Sequence, residues 1–351
     1  VEHQELLRAL VDEEASDLHC KPGSVPVLRI GGELVRHGDE RLSVESVAQI
    51  AQAVLDADAQ NELIRTGSTV GAHSEPGVGR FRVAAYRQRG SVALVVHAVA
   101  RDVPKLERLG LPTSAAALAT ADRGLVLVAS PVGNGASTTL AALVDHVNAT
   151  RTRHVVTVED PIEVLHADGV GMVSQLEVGG DVPSAAEGIR AASKLDADVV
   201  VVSDIADRDT AAAVLDAVAR GRLVIGAIGG HSAVSAVQAF LELFTVEERD
   251  IVRSALARGI AGVLAQRLLR ALDGSQVPAV ESLVHTSKVE HCLADPARLD
   301  QLRGLLEEGD YHGMQTMDQA LVALVRSGRI AADTALAVAT DAEDLRIELL
   351  R

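Results

Sequence analysis

The sequence predicts an α/β protein of two domains, and three observations predict it. Its 351 residues exceed one ordinary domain of about 100–200 residues. From Thr113 onward, short apolar runs alternate with segments of helical period, the pattern of a parallel sheet covered on both faces. Before that point, strand-like runs and helices mix as in a small α+β domain. The expected boundaries are residues 1–100 for the first domain, 101–112 for a proline- and charge-bearing linker, and 113–351 for the second domain.

In the first domain, Leu6, Leu7, Leu10 and Val11 recur at helical spacing. Residues 25–30 read as a strand running into a turn at Gly31 and Gly32. Residues 44–63 are apolar at helical spacing. Residues 80–87 and 91–99 read as strands split by Gln88, Arg89 and Gly90. In the second domain, 124–129 is a buried strand, 137–148 a helix, 154–158 a strand and 184–195 a helix. Residues 198–202 (DVVVV) are apolar on both faces, as a central parallel strand requires. A helix over 210–219 and a strand over 223–228 follow. From about 232 to 351 the chain reads as mostly helical.

Composition narrows the function. Hydrophobic residues at 48% suffice for a full core, built from Val, Leu, Ile and Ala because Trp is absent and aromatics are 1%. A net charge of −16 argues against a general nucleic-acid or anionic-membrane binder, and so few aromatics leave little for base stacking. Cys20 and Cys292 are too few for a disulfide framework or a structural zinc site, which fits a reducing compartment. No run of 18 apolar residues predicts a spanning helix, and the acidic N-terminal stretch is unlike a signal peptide. The expectation is a cytoplasmic protein that neither inserts into membrane nor binds nucleic acid. The twelve histidines form no H-x-x-x-H pair, which argues against a metal site built on them.

The informative stretch is LVASPVGNGASTTL at 127–140, which follows a buried strand and opens a helix. Glycines there let backbone N–H groups converge on a phosphate, and the next helix presents its positive end. A hydroxyl at the helix start can ligate Mg²⁺. Against the pattern G-x-x-x-x-G-K-[ST], Gly135 and Ser137 match, while Ser130 stands at the first glycine and Ala136 at the lysine. Taken alone, the loop reads rather as a glycine-rich strand-to-helix turn capped by a serine.

The rest of the chain carries a wider pattern. In order, it contains EASDLH at 14–19, GRFRV at 79–83, TVEDPIE at 157–163, LAQRL at 264–268 and GMQTMDQ at 313–319. With these motifs the chain resembles the PilT family, the type IV pilus retraction (twitching motility) ATPases of the secretion-ATPase superfamily, along essentially its whole length. The resemblance implies a PAS-like α+β N-terminal domain, then a RecA-like P-loop ATPase domain with a parallel sheet and a helical C-terminal part. It implies ATP/ADP with Mg²⁺ as ligand, and a six-fold ring, either of this chain alone or mixed with an intact paralogue. That ring works on an inner-membrane platform protein, peripheral to the cytoplasmic face of the membrane. The residues it assigns to nucleotide are Val132, Gly133, Asn134, Gly135, Ala136, Ser137 and Thr138 of the loop, with Arg80 and Arg82 of the first domain. Glu159 takes the place of the catalytic base. Asp204, one methylene shorter than the family's glutamate, takes the Walker B place with a catalytic and Mg²⁺ role, and Ser137 is the other Mg²⁺ ligand.

Several family positions have changed. The loop lysine is Ala136, the arginine after the Walker B acid is Ala206, and the histidine of the histidine box is Gly229, with His231 two residues on. A lysine ammonium about 4 Å from a phosphate oxygen is worth roughly 4 kcal/mol at an effective dielectric near 20, so losing it slows hydrolysis about a thousandfold. The expectation is a ring subunit with little or no hydrolysis. The alternative is a working retraction ATPase with an atypical loop, in which Arg80, Arg82 or Arg208 supplies the missing charge. Plainer readings stand beside the assignments: a turn start for Glu159, Asp160 and Pro161, a helix-capping role for Asp204, a surface loop for His231, a structural hydrogen bond for His19, and core packing for Met314 and Met317.

Overall fold

The computed structural model describes residues 2–99, 103–299 and 301–350. Ala100, Arg101 and Asp102, at the expected end of the first domain and start of the linker, lie outside them, as do Val1, Asp300 and Arg351. The chain divides into two units, Val1–Arg101 and Asp102–Arg351.

The N-terminal unit begins with α1 (His3–Asp12), followed by β1 (Asp17–Cys20), β2 (Val27–Ile30) and β3 (Glu33–Arg36). Helices α2 (Val44–Val54) and α3 (Ala57–Thr66) lead to β4 (Ser68–Glu75), β5 (Gly79–Gln88) and β6 (Ser91–Ala98). The six strands form one antiparallel sheet in the order β3-β2-β1-β6-β5-β4, so β3 and β4 are its edges. Leu6, Leu7 and Leu10 of α1 pack with Val47, Ile50 and Val54 of α2 and Phe81 and Val83 of β5 in a single core. The continuous helical period over 44–63 is in fact two helices. Asp56 accepts the N–H of Ala59 at 2.8 Å and starts α3 afresh, an N-cap interrupting a run that periodicity alone would continue. The strands at β1, β3 and β4 carry weak alternation and were not expected. His19 lies on β1.

In the C-terminal unit, α4 (Ser114–Ala119), β7 (Gly124–Ser130), α5 (Ala136–Thr150), β8 (His154–Glu159) and β9 (Met172–Glu177) come first. Then follow α6 (Ala185–Lys194), β10 (Val199–Val202), α7 (Arg208–Ala219), β11 (Leu223–Gly229), α8 (Ala233–Glu242) and α9 (Arg249–Gly259). The chain continues through β12 (Ile260–Arg270), β13 (Gln276–Val284), α10 (Ser287–Ala294), α11 (Gln301–Glu307), α12 (Met317–Arg326), α13 (Ala332–Leu336) and α14 (Ala342–Leu349). The sheet order is β13-β12-β7-β11-β10-β8-β9, parallel except for β13. Alternate residues of the central strands enter two separate cores. Leu125, Leu127, Val200 and Val202 face α6 to α9, whereas Val126, Val128, Val199 and Val201 face α4 and α5.

The region after 232 is not mostly helical. Residues Ile260–Arg270 and Gln276–Val284 form a hairpin that extends the sheet beside β7. Strand β12 is buried along most of its length, so its apolar run lacks the alternation that separates a strand from a buried helix. The legible signal was the turn: Asp273 accepts the N–H of Ser275 at 2.9 Å and Gly274 sits at φ +86°. Met314 and Met317 are both buried, each in a different core cluster. Thr316 and Gln319 of the GMQTMDQ stretch close a reciprocal cap on α12.

Candidate functional site

The loop between β7 and α5 is built around two glycines in the left-handed region, Gly133 at φ +78° and Gly135 at φ +84°. Gly135 is also crowded: a Cβ there would lie 3.2 Å from Gln266 Nε2 and 3.3 Å from Leu268 Cδ1. Those two residues, on β12, hold the loop. Buried Gln266 donates through Nε2 to the Asn134 carbonyl at 2.7 Å and accepts through Oε1 from Thr139 Oγ1 at 2.7 Å. The Leu268 N–H donates to Asn134 Oδ1 at 3.0 Å. Helix α5 starts on Gly135 with no side-chain cap, unlike α7, where Asp207 accepts the N–H of Thr210, and α8, capped by Ser232. The first N–H groups of α5 therefore face the loop without a side-chain acceptor, the arrangement that suits an anion. Val132 is fully exposed at the loop tip, and Ser137 and Thr138 are exposed on the first turn.

Beside α5, the C-terminal ends of β8 and β10 bring carboxylates together. A cavity of about 110 Å³ is lined by Ser137, Thr157, Glu159, Asp160, Glu163, His166, Ser203 and Asp204 among others. Ser137, Glu159 and Asp204, far apart in sequence, thus share one cavity. Glu159 Oε1 accepts from Thr157 Oγ1 at 2.6 Å and from Gln175 Nε2 at 2.9 Å. Burial pushes the Glu159 carboxyl above its ordinary range, against those two hydrogen bonds, with Glu163 adding to the rise. The Asp204 carboxyl is also raised, first by desolvation at the cavity wall and then by the charge of Asp207. Burial lowers His166, partly offset by Asp145. No lysine or arginine stands among the described residues that line this cavity. A larger cavity, about 680 Å³, opens at the opposite end of β7 around Gly124, Arg258 and His285, away from the loop.

The donor set suits one cofactor more than the other. A hydroxyl and carboxylate oxygens are what Mg²⁺ takes, together with water, so Ser137, Glu159 and Asp204 fit that ion. For a phosphate, the backbone cradle is present, but position 136 offers a methyl group. Arg208 is committed elsewhere: Glu248 grips its guanidinium, with Nε to Oε2 at 3.1 Å, and is itself held down at about 2. Arg80 and Arg82 lie on β5 of the N-terminal unit, on the face opposite Phe81 and Val83, with Arg80 Nη1 donating to Ser74 Oγ at 3.1 Å. Ser130 and Gly229 are register partners at the ends of β7 and β11, so the two positions at which the sequence resemblance implies a change are neighbours in space. His231 is exposed, and its N–H donates to Ser235 Oγ at 2.9 Å.

Gln266 and Gln175 are the functional residues that sequence reasoning missed. Gln266 lay within the LAQRL stretch, but nothing in its spacing said what it holds. Gln175 sits on β9, a strand not expected, where it also donates to the Val164 carbonyl and fixes the segment after Glu159.

Residues 98–320 match the family model described as type II/IV secretion system protein. The chain is 32% identical to the type IV pilus retraction ATPase PilT of Pseudomonas aeruginosa over 94% of this chain and 96% of that protein. It is 30% identical to the type IV pilus ATPase PilU of the same organism over 99% of this chain and 91% of that one. A crystal structure of the pilus retraction motor PilT with bound ADP superposes with a TM-score of 0.87 at 31% identity, covering 99% of both chains.

Proposed function

The chain belongs to the type II/IV secretion system protein family, on its PilT branch of type IV pilus ATPases, and from that premise we propose that it is a motor-ring subunit whose own ATP hydrolysis is feeble or absent. The observation that carries this reading is a loop kept in shape while its charge is gone. Gln266 and Leu268 pin the cradle, yet residue 136 is alanine and the described lining of the adjoining cavity holds carboxylates without a lysine or arginine. The relative solved with bound ADP supports a nucleotide as the ligand of this chain.

In this reading, Val132, Gly133, Asn134, Gly135, Ala136, Ser137 and Thr138 take a phosphate through backbone N–H groups. Glu159, held by Thr157 and Gln175, occupies the place of the base that would draw a proton from an attacking water. Ser137 and Asp204 would hold Mg²⁺, which when bound neutralises phosphate charge facing an acidic wall. The chain acts as a regulatory or structural component of a hexameric ring, alone or with an intact paralogue. It docks on an inner-membrane platform protein at the cytoplasmic face. No described helix is long and apolar enough to cross a membrane, in keeping with that placement.

A second reading, an active retraction ATPase, is favoured by one observation: Ser137, Glu159 and Asp204 still converge. Calorimetry with ADP and ATP, with and without Mg²⁺, and turnover on the same sample separate the two. We expect Mg²⁺-dependent binding with turnover no higher than that of Asp204→Ala. A rate well above that variant would establish the second reading in place of the first.

A further inference from the structure

We propose that His3, His73 and Glu75 form a binding site for a divalent first-row transition metal, Zn²⁺ foremost, in the N-terminal unit. The three come from two distant places in the chain. His3 opens α1, while His73 and Glu75 lie at i and i+2 on β4 and so share one face of the sheet. Glu75 Oε2 is 3.5 Å from His3 Nε2 and 3.2 Å from His73 Nε2, and all three ligand atoms lie within 4.8 Å of one another. Ligands about 2.0–2.1 Å from a tetrahedral zinc stand roughly 3.3 Å apart, so small side-chain adjustments seat the ion.

The surroundings are those of a metal ligand set. Gln4 Nε2 donates to the other carboxylate oxygen, Glu75 Oε1, at 2.9 Å. That bond orients Oε2 toward the two imidazoles, the outer support that metal-binding carboxylates ordinarily have. The next residue on the strand, Ser74, points to the opposite face and engages Arg80 there, which keeps that guanidinium on the other side of the sheet. The His3, His73 and Glu75 side chains are 28%, 18% and 10% exposed, open enough for an ion to enter and for water to complete its coordination. Two imidazoles and one carboxylate select zinc and its neighbours over Mg²⁺ or Ca²⁺, which take oxygen sets. Such an ion would clamp the first helix onto β4, an edge strand of the sheet. The absence of an H-x-x-x-H pair does not bear on this site, because its histidines are brought together by the fold rather than by one helix.

The test uses the untagged full chain, metal-stripped, titrated with Co²⁺ and then displaced by Zn²⁺. We expect one Co²⁺ per chain with the intense visible absorption of a four-coordinate ion, bleached by Zn²⁺, and a melting midpoint that Zn²⁺ raises. His73→Ala and Glu75→Ala should each lower the affinity more than about a hundredfold, and Gln4→Ala about tenfold. His146→Ala, in a separate histidine–carboxylate pair with Glu107, should leave it unchanged. His3→Ala, at the start of the chain, serves where a strand variant fails to fold, and its metal-free melting midpoint reports that it has folded. A cobalt spectrum that the protein leaves unchanged, or variants that bind as the parent does, would overturn the proposal.

Discussion

The two walls of the candidate site are held by different means. The loop wall is a backbone object: two glycines at positive φ, a helix end without a side-chain cap, and one buried amide, Gln266, reaching in from the neighbouring strand. The opposite wall is made of side chains, with Glu159, Asp160, Glu163 and Asp204 arrayed at the ends of β8 and β10. On the loop wall, residue 136 is alanine and offers no charge, and none of the bonds that shape the loop comes from its side chain. On the acidic wall several carboxylates share the role, so altering one leaves charge behind. The shape of the loop wall is therefore set by backbone and one amide, and its charge is a separate matter.

The largest expected effect tests whether charge is all that the loop wall lacks. Ala136→Lys adds an ammonium worth roughly 4 kcal/mol against a phosphate, so turnover should rise by up to about a thousandfold. A steady-state ATPase assay that finds no rise would break the comparison and turn attention to Ser130, Ala206 and Gly229. The next effect concerns shape. Gln266→Ala leaves the Thr139 hydroxyl and the Asn134 carbonyl without their buried partner, at a cost of about 1–3 kcal/mol. Denaturant unfolding should register that loss, and nucleotide affinity should fall with it. If stability is unchanged, the amide clamp is not what shapes the loop.

The smallest effect belongs to the acidic wall. The Glu159 carboxyl is raised above 4.5 in the folded chain, so the native state holds its proton more tightly than the unfolded state does. Its contribution to stability is most favourable below that value, declines as pH rises through the window above it, and is level once both states are ionised. Glu159→Gln should remove this decline and raise the melting midpoint slightly at neutral pH. Melting curves from acid to neutral pH check it, and a midpoint that falls with the substitution would mean that the ionised carboxylate is stabilised by its surroundings.

Much of the fold was legible because it is written in short windows. Four valines in a row at 199–202 announce a doubly covered strand, and the glycines at 133 and 135 announce a turn. The hairpin of β12 and β13 was missed because a strand buried on both faces carries no alternation, and its Asp273-Gly274 turn was the sign to follow. The break between α2 and α3 was hidden because an N-cap such as Asp56 acts through a single hydrogen bond and leaves the apolar period intact.

By itself, the sequence determined the fold class, the glycine turn between β7 and α5 and the alanine that follows it at 136, because each is a local fact of order and spacing. Only the tertiary structure decided that Ser137, Glu159 and Asp204 share a cavity, that Gln266 clamps a loop 132 residues away, and that His3 meets His73 and Glu75. Those pairings depend on which strands lie side by side and in what register. That is set by burying both faces of the C-terminal sheet and one face of the N-terminal sheet, a condition no single window of residues contains.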